Sequence, residues 1–403
     1  MKVPFYRVRL TDAEVEEVVR TLRSGWLTTG PVTRRFEEAF AEAVGGAHAI
    51  AVNSCTAALH LAVEALGLRA GQAVLVPTLT FAATAEVIRY QGAFPVLVDG
   101  DPVTGHLDLD DAARKVNDVR RGRFASIPPD APVVGVIPVH TGGLMMDVDR
   151  VSQFARAHRL WVIEDAAHAF PAAWRSGPDQ PWQRCGQGTS AVACFSFYAN
   201  KTLTTGEGGM AVTDDANLAA RMRMMALHGL SRDAWTRYSA GGSWDYQIVA
   251  PGYKYNLTDI ASALGVRQLE HAEPMRQRRE ALARAYTAAF ADLDVVDLPP
   301  DPPDRLHAWH LYPIRLRLDR LTIDRNAFIR ALSDAGVGCS VHWRPLHLHA
   351  YYQEQLGWTA DHCPTAAREW LRLVSLPLFP DMEDEEQAHV IAAVRRLAAA
   401  HRL

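Results

Sequence analysis

Cysteine is scarce and unpatterned in this 403-residue chain. The five that occur, Cys55, Cys185, Cys194, Cys339 and Cys363, make no Cys-x-x-Cys pair and are odd in number, which argues against a zinc motif and a disulfide framework. A reducing, cytoplasmic setting is expected. No segment approaches the roughly 18 apolar residues that a membrane span needs. The opening MKVPFYRVRLTDAEVEEVVR is charged and amphipathic, without the apolar centre of a signal segment. Charge of one sign is not massed either: 42 Lys and Arg stand against 46 Asp and Glu, a formal net charge of −4, with no long basic or acidic run. Nucleic acid and membrane are therefore not expected partners, and a smaller ligand is. Two phosphate motifs are also missing. Lys201 is preceded by Asn200 rather than by the Gly of GxxxxGK[ST], and no strand-like run leads into GxGxxG.

What is present is a chain with 48% hydrophobic residues, long enough for one large domain and a smaller one. From about residue 50 to 215, β-branched runs alternate with helical stretches. The runs are AIAVN (49–53), AVLVP (73–77), FPVLVD (94–99), VVGVIPV (133–139), LWVIED (160–165), AVACFSF (191–197) and GMAVTD (209–214). Helical readings fall at 56–68, 147–159 and 217–227. Apolar strands joined by helical crossovers predict an α/β, doubly wound, mostly parallel sheet, with ligands at the carboxyl ends of its strands. After residue 265 the texture changes to an Arg/Glu-rich helix (273–290), a Pro-rich link LPPDPPD (298–304), the strand-like HLYPIRLRL (310–318), a helix at 325–336 and the run VGCSVHW (337–343). This predicts a large domain over 1–268 and a smaller α+β domain over 269–403, hinged near 265–275. The stretch 229–250, with AGGSW inside it, reads as a mobile or partner-facing loop.

One lysine stands out. FSFYANKTLTTGEGG (195–209) ends an aromatic run and presents Lys201 to a glycine-rich turn. A lone lysine is most often a solvated surface residue. At a strand end in a desolvated pocket it is also a nucleophilic amine, able to form a Schiff base. Pyridoxal phosphate (PLP) chemistry asks for an acid at the pyridinium nitrogen, N–H and hydroxyl groups on the phosphate, and an aromatic face on the ring. Asp165 ends one run and is a candidate for the acid, or a helix cap. Cys55, Thr56 and Ala57 open a helix and offer N–H groups, with the Ser196 hydroxyl beside them; Phe81 in PTLTFAAT is a candidate ring, or a core residue. All fall on one edge of the predicted sheet.

With these residues in place, the chain resembles the DegT-type nucleotide-sugar aminotransferases, PLP enzymes of the aspartate-aminotransferase-like fold type I. The resemblance runs through SGWLTTGP (24–31), VNSCTAALHLA (52–62), VPTLTFAAT (77–84), VIPVHTGG (136–143), VIEDAAHA (162–169), FSFYANKTLTTGEGG, LHG (227–229), GYKYNLTDI (252–260), SVHWRPLH (340–347) and SLPLFP (375–380). It implies that Lys201 is the Schiff-base lysine, Asp165 the pyridinium partner, Phe81 the stacking ring and Ser196 a phosphate ligand, with Cys55 and Thr56 in the phosphate turn. His168 stands where many members carry glutamine, beside the pyridoxal hydroxyl, and is frequent in the branch that aminates UDP-4-keto sugars. Lys254 and Asn256 replace the Asn and Arg of a widespread GYNYR pattern, in a loop that reaches the neighbouring subunit's site. That implies a homodimer with shared active sites, and either Lys254 or Asn256 meets the cofactor phosphate. Retention of Lys201, where the dehydrating subfamily carries histidine, points to transamination.

The expected activity moves an amino group from an amino acid, glutamate by family habit, to a nucleotide-linked keto-sugar at C4. A carbocyclic, aminocyclitol-type ketone is the rival substrate. Trp26 and Thr28, and His342 and Arg344, lie in the segments the resemblance assigns to substrate. No metal is expected: His347 and His349, two residues apart, have no acidic or cysteine neighbour in sequence.

Overall fold

The computed structural model of the protein describes residues 1–188, 190–230 and 247–403. Most of the loop anticipated at 229–250 therefore lies outside the described residues.

All seven apolar runs form strands of one sheet. They are β1 (His48–Val52), β2 (Ala73–Pro77), β3 (Phe94–Val98), β4 (Val133–Val136), β5 (Trp161–Asp165), β8 (Val192–Ser196) and β9 (Gly209–Thr213), and between β5 and β8 lie two-residue strands β6 (Ala173–Trp174) and β7 (Gln183–Arg184). The order is β1-β9-β8-β5-β4-β2-β3. Neighbours from β8 to β3 pair in parallel, and β9 runs against β1 and β8. The mostly parallel α/β sheet expected from the sequence is what forms. Its strands are buried on both faces because β-strand side chains alternate. On β1, Ile50 and Val52 join one core while Ala49 and Ala51 join the other.

The first core is closed by α3 (Cys55–Ala65), α4 (Ala83–Tyr90), α5 (Leu109–Arg120), α6 (Val148–His158) and α7 (Ala216–Met225), which follow α1 (Asp12–Ser24) and α2 (Pro31–Val44) in the chain. Phe36 and Phe40 of α2 meet Phe170, Phe195 and Phe197 in the second, together with α8 (Asp259–Glu270). Asp259 pins α2 to α8: its carboxylate accepts from the N–H groups of Gly30, Val32 and Thr33, answering donors that a helix start leaves orphaned.

A long helix, α9 (Ala272–Phe290), leads to a second sheet of β10 (Val296–Asp297), β12 (Tyr312–Leu316) and β13 (Leu373–Leu376), with β11 (Arg305–Leu306) paired instead to β6. β12 alternates buried Tyr312, Ile314 and Leu316 with half-buried Pro313 and Arg315, as a sheet covered on one face should. The covering helices are α9, α10 (Arg325–Asp334) and, beyond α11 (Ala350–Leu356) and α12 (Pro364–Trp370), α13 (Asp384–His401). The run 337–343 is not a strand; it makes only isolated bridges, Val337 with Val3 and Ser340 with Ser375, and contains a cis peptide between His342 and Trp343. Leu346, Tyr352, Leu356, Trp358, Cys363 and Ala366 pack into the first core rather than the C-terminal one.

Candidate active site

The carboxyl ends of β1, β8 and β5 set the site. Across the sheet, Val52 pairs with Gly209 and Gly209 with Ser196, while Asp165 pairs with Cys194 two residues earlier on β8. Ser196, Asp165 and the start of α3 are thus brought to one edge. α3 begins directly after β1, and Ser54 caps it by accepting from the Ala57 N–H at 3.1 Å. That bond removes Ala57 from the expected phosphate donors. The N–H groups of Cys55 and Thr56 have no acceptor among the described residues, and the helix dipole adds positive potential there.

The glycine-rich turn after Lys201 has a steric reason. A Cβ on Gly209 would lie 2.4 Å from the Ser54 carbonyl carbon and 2.5 Å from the Cys55 nitrogen, so only glycine lets β9 pass beneath the start of α3. Gly206 takes φ of +80°, the left-handed region, to turn the chain.

Lys201 sits in this edge, partly buried, and burial pulls its amine from the usual lysine range down to about 8, opposed by Cys55 and Asp165. Asp165 is buried. It accepts from Thr84 Oγ1 at 2.8 Å and from the Ala167 N–H at 3.2 Å, and burial pushes its carboxyl upward against those two hydrogen bonds and the charge of Lys201. It caps no helix, since the next helix after β5 is α7. His168 is buried and accepts from the Gly142 N–H on Nδ1 at 3.2 Å, which leaves its proton on Nε2. Burial, then Lys201 and His342, hold it well below the ordinary imidazole range, so it is neutral. Its ring stacks on Trp343 at 5.1 Å and tilts against His310 at 4.2 Å.

Phe81 is 63% exposed at the end of β2, so the core reading of that residue is excluded and a ring face is free. Cys55 is buried, with its thiol donating to Cys194 O at 3.5 Å and pushed far above the usual thiol range by burial. Thr56 is half-buried. Beneath the site His140 donates its backbone N–H to Asp165 O, and its Nε2 lies 2.7 Å from Glu164.

His342 lies beside Lys201 with Nδ1 2.9 Å from Ser375 Oγ, lowered to about 4 by burial and by that lysine. Arg344 is elsewhere: exposed, donating to Leu348 O at 2.7 Å and lying over the Trp370 ring. His347 is buried against Thr78 and His349 faces Arg344 O, so the two do not converge on an ion. Lys254 and Asn256 bond to each other, and Asn256 donates to Thr29 at 2.6 Å. With Trp26 and Thr28 they line a cavity of about 570 Å³ beside the edge strand β1, to which Lys201 does not contribute.

Sequence reasoning missed Thr84, His310, Trp343 and the pair His140 and Glu164. Thr84 was within the quoted PTLTFAAT, and its position four residues after Thr80, to which it hydrogen-bonds at 2.8 Å, was the available signal. His310 and Trp343 reach the site from across the fold.

Known proteins resemble this chain over nearly its whole length. Residues 8–395 match the DegT/DnrJ/EryC1/StrS aminotransferase family. The spore coat polysaccharide biosynthesis protein SpsC of Bacillus subtilis is 41% identical over 394 residues, covering 98% of this chain and 96% of that protein. An uncharacterized protein of Methanocaldococcus jannaschii is 40% identical over 400 residues, covering 99% and 98%. Among solved structures, Spr1654 of Streptococcus pneumoniae in its PMP form superposes with a TM-score of 0.88 at 30% identity, covering 99% of each chain, and its PLP form with 0.87. The sugar aminotransferase CalS13 of Micromonospora echinospora gives 0.82 at 30% identity, covering 98% and 99%. Among the described residues no helix is long and apolar enough to cross a membrane. With a matching family over nearly its whole length and relatives solved in PLP and PMP forms, the chain belongs to the DegT/DnrJ/EryC1/StrS family of PLP-dependent sugar aminotransferases.

Proposed function

We propose that this enzyme transfers the amino group of an amino acid, glutamate, to the C4 ketone of a nucleotide-linked sugar, working as a homodimer. The observation that supports it most is one buried edge that holds an amine near 8, a carboxyl without a helix to cap and a neutral imidazole with a free N–H.

The residues present fit the cofactor. The two unanswered N–H groups at the start of α3 and the Ser196 hydroxyl suit a phosphate, and the lack of a side chain on Gly209 lets the start of α3 lie close against β9. Asp165 has lone pairs left for the ring nitrogen, Phe81 has a bare face for the ring, and His168 Nε2–H suits the phenolic oxygen. Bound, PLP supplies an electrophilic carbon and an electron-withdrawing ring.

The chain's own part is proton handling and orientation. With its amine near 8, Lys201 is about one-tenth free base at pH 7, against about one part in 3,000 for an unperturbed lysine, so Nζ both gives and takes a proton near neutrality. Asp165 would face the ring nitrogen of bound PLP in a water-poor setting, where charge stabilisation is strong. His342, close to Lys201, is assigned to substrate contact on that proximity. Lys254 and Asn256 serve the partner subunit's site, and Trp26 and Thr28, which line the same cavity, face substrate there.

Incubation with glutamate and a panel of UDP- and dTDP-linked 4-keto sugars tests the reading by mass spectrometry. An amino sugar formed in equal amount with 2-oxoglutarate is expected. Product from a keto-inositol alone would move the substrate to the carbocyclic class, and product from none would refute the reading.

A further inference from the structure

Asp165 is held by more than its strand. Thr84 Oγ1 lies 2.8 Å from its Oδ2, Thr80 Oγ1 lies 2.8 Å from Thr84 Oγ1, and the Ala167 N–H donates to Oδ1 at 3.2 Å. A carboxylate has no hydrogen to give, so the hydroxyls run one way: Thr80 donates to Thr84, and Thr84 donates to Asp165. Donors aligned head to tail polarise one another and strengthen the last bond. Both hydroxyls are withdrawn from water, Thr84 at 0% and Thr80 at 2% exposed. Valine has nearly the same shape and no polar group to bury, so packing alone does not call for two hydroxyls here.

The stretch that carries them is fixed at both ends. At one end the Thr78 carbonyl accepts from the Leu346 N–H at 2.8 Å, and the Thr78 hydroxyl holds His347 Nδ1 at 2.7 Å. At the other end Thr84 lies in the first turn of α4, and its N–H donates to Phe81 O at 3.3 Å. One turn of chain therefore presents both the exposed ring of Phe81 and the hydroxyl of Thr84. Branching at Cβ limits χ1 of Thr84, which fixes its hydroxyl more tightly than a serine's. Burial pushes the Asp165 carboxyl upward, and the Thr84 bond is first among the contacts that oppose it, ahead of the Ala167 N–H and the charges of Lys201 and His140. The thiols of Cys55, Cys185 and Cys194, which also act on Asp165, are kept neutral by burial. Glu164, its neighbour on β5, points to the other face of the sheet and is taken up by His140.

We propose that Thr84, with Thr80 behind it, is a positioning residue that holds Asp165 as a charged acceptor for the ring nitrogen of PLP. The proposal rests on the transaminase reading above and adds to it how a buried carboxyl stays charged enough to keep that nitrogen protonated.

The test binds PLP, isotope-labelled at its ring nitrogen, to the wild type, Thr84→Val, Thr84→Ser, Thr80→Val and the double variant Thr80→Val/Thr84→Val. The NMR resonance of the label reports whether the nitrogen carries a proton, and the rate at which glutamate bleaches the visible absorbance is followed against pH. In Thr84→Val the resonance should move toward the unprotonated position, and the bleaching rate at neutral pH should fall about tenfold, the worth of one hydrogen bond to a charged group. Loss of that bond raises the Asp165 carboxyl further, so its ionised fraction at a given pH falls and the acid limb of the rate moves to higher pH. Thr84→Ser should stay within about threefold of the wild type, and Thr80→Val should lose less than Thr84→Val. The double variant leaves no unanswered hydroxyl, so it should regain melting temperature relative to Thr84→Val but neither the resonance nor the rate; it also serves if Thr84→Val fails to fold. A wild-type resonance and acid limb in these valine variants would make the hydroxyls a matter of packing and overturn the inference, whatever the melting temperature does. If no amino acid bleaches the wild type, the transaminase reading falls while the resonances still decide Thr84; if the wild-type ring nitrogen carries no proton, the inference falls with the role given to Asp165.

Discussion

Gly209→Ala puts one methyl group where the start of α3 meets β9. The new Cβ would lie 2.4 Å from Ser54 C and 2.5 Å from both Cys55 N and Ser54 O, all backbone atoms that no rotamer change can clear. Restoring ordinary contact at about 3.4 Å means separating β9 and α3 by about 1 Å, an overpacking that costs roughly 1–3 kcal/mol. The functional cost is larger. A shift of that size carries the Cys55 and Thr56 N–H groups beyond hydrogen-bond reach of a phosphate seated by Ser196. Two charge-assisted bonds at about 1.5–3 kcal/mol each are lost, about 3–6 kcal/mol, or at least about 100-fold in affinity. The assay is equilibrium dialysis of PLP in a Lys201→Ala background, where phosphate grip is read without the covalent link. Gly67→Ala is the control, because Gly67, at φ +75°, follows the C-terminus of the same helix with open space around it and should lower the melting temperature without changing PLP affinity. PLP affinity within threefold of the parent in Gly209→Ala would refute the placement of the phosphate.

Three further outcomes are expected. Asp165→Asn keeps the acceptor for Thr84 but removes the negative charge, and kcat should fall about 100- to 1,000-fold with cofactor still bound, as steady-state kinetics would show. Capture of PLP by the apoenzyme should follow the free-base fraction of Lys201; the amine is lowered, so the rate rises as pH rises through about 8, and a stopped-flow midpoint above 10 would contradict the buried amine. His168→Leu removes the Nε2 donor and should weaken PLP binding about tenfold by fluorescence titration, whereas His168→Gln, which still donates, should stay within about threefold.

The strands of the main sheet were legible because each is a compact apolar run between turn residues, and so were the long helices at 148–158 and 272–290. Strand-end residues inherit their position from the sheet, which is why Asp165, Ser196 and Lys201 were placed together from sequence. The two-residue strands β6, β7 and β11 have too few residues to show a period. VGCSVHW reads as a strand by composition, yet tertiary packing gives it only two bridges. The Ala57 N–H was expected to face the phosphate, but Ser54 takes it, a local cap invisible until the helix start is fixed.

The most direct test of the central claim is the visible spectrum of the purified enzyme before and after glutamate, for wild type and Lys201→Ala in parallel. A yellow wild type that bleaches with glutamate and recovers its colour with a 4-keto sugar, beside a variant that binds cofactor but does not turn over, is the predicted result. Bleaching and recovery at the wild-type rate in Lys201→Ala would contradict the account.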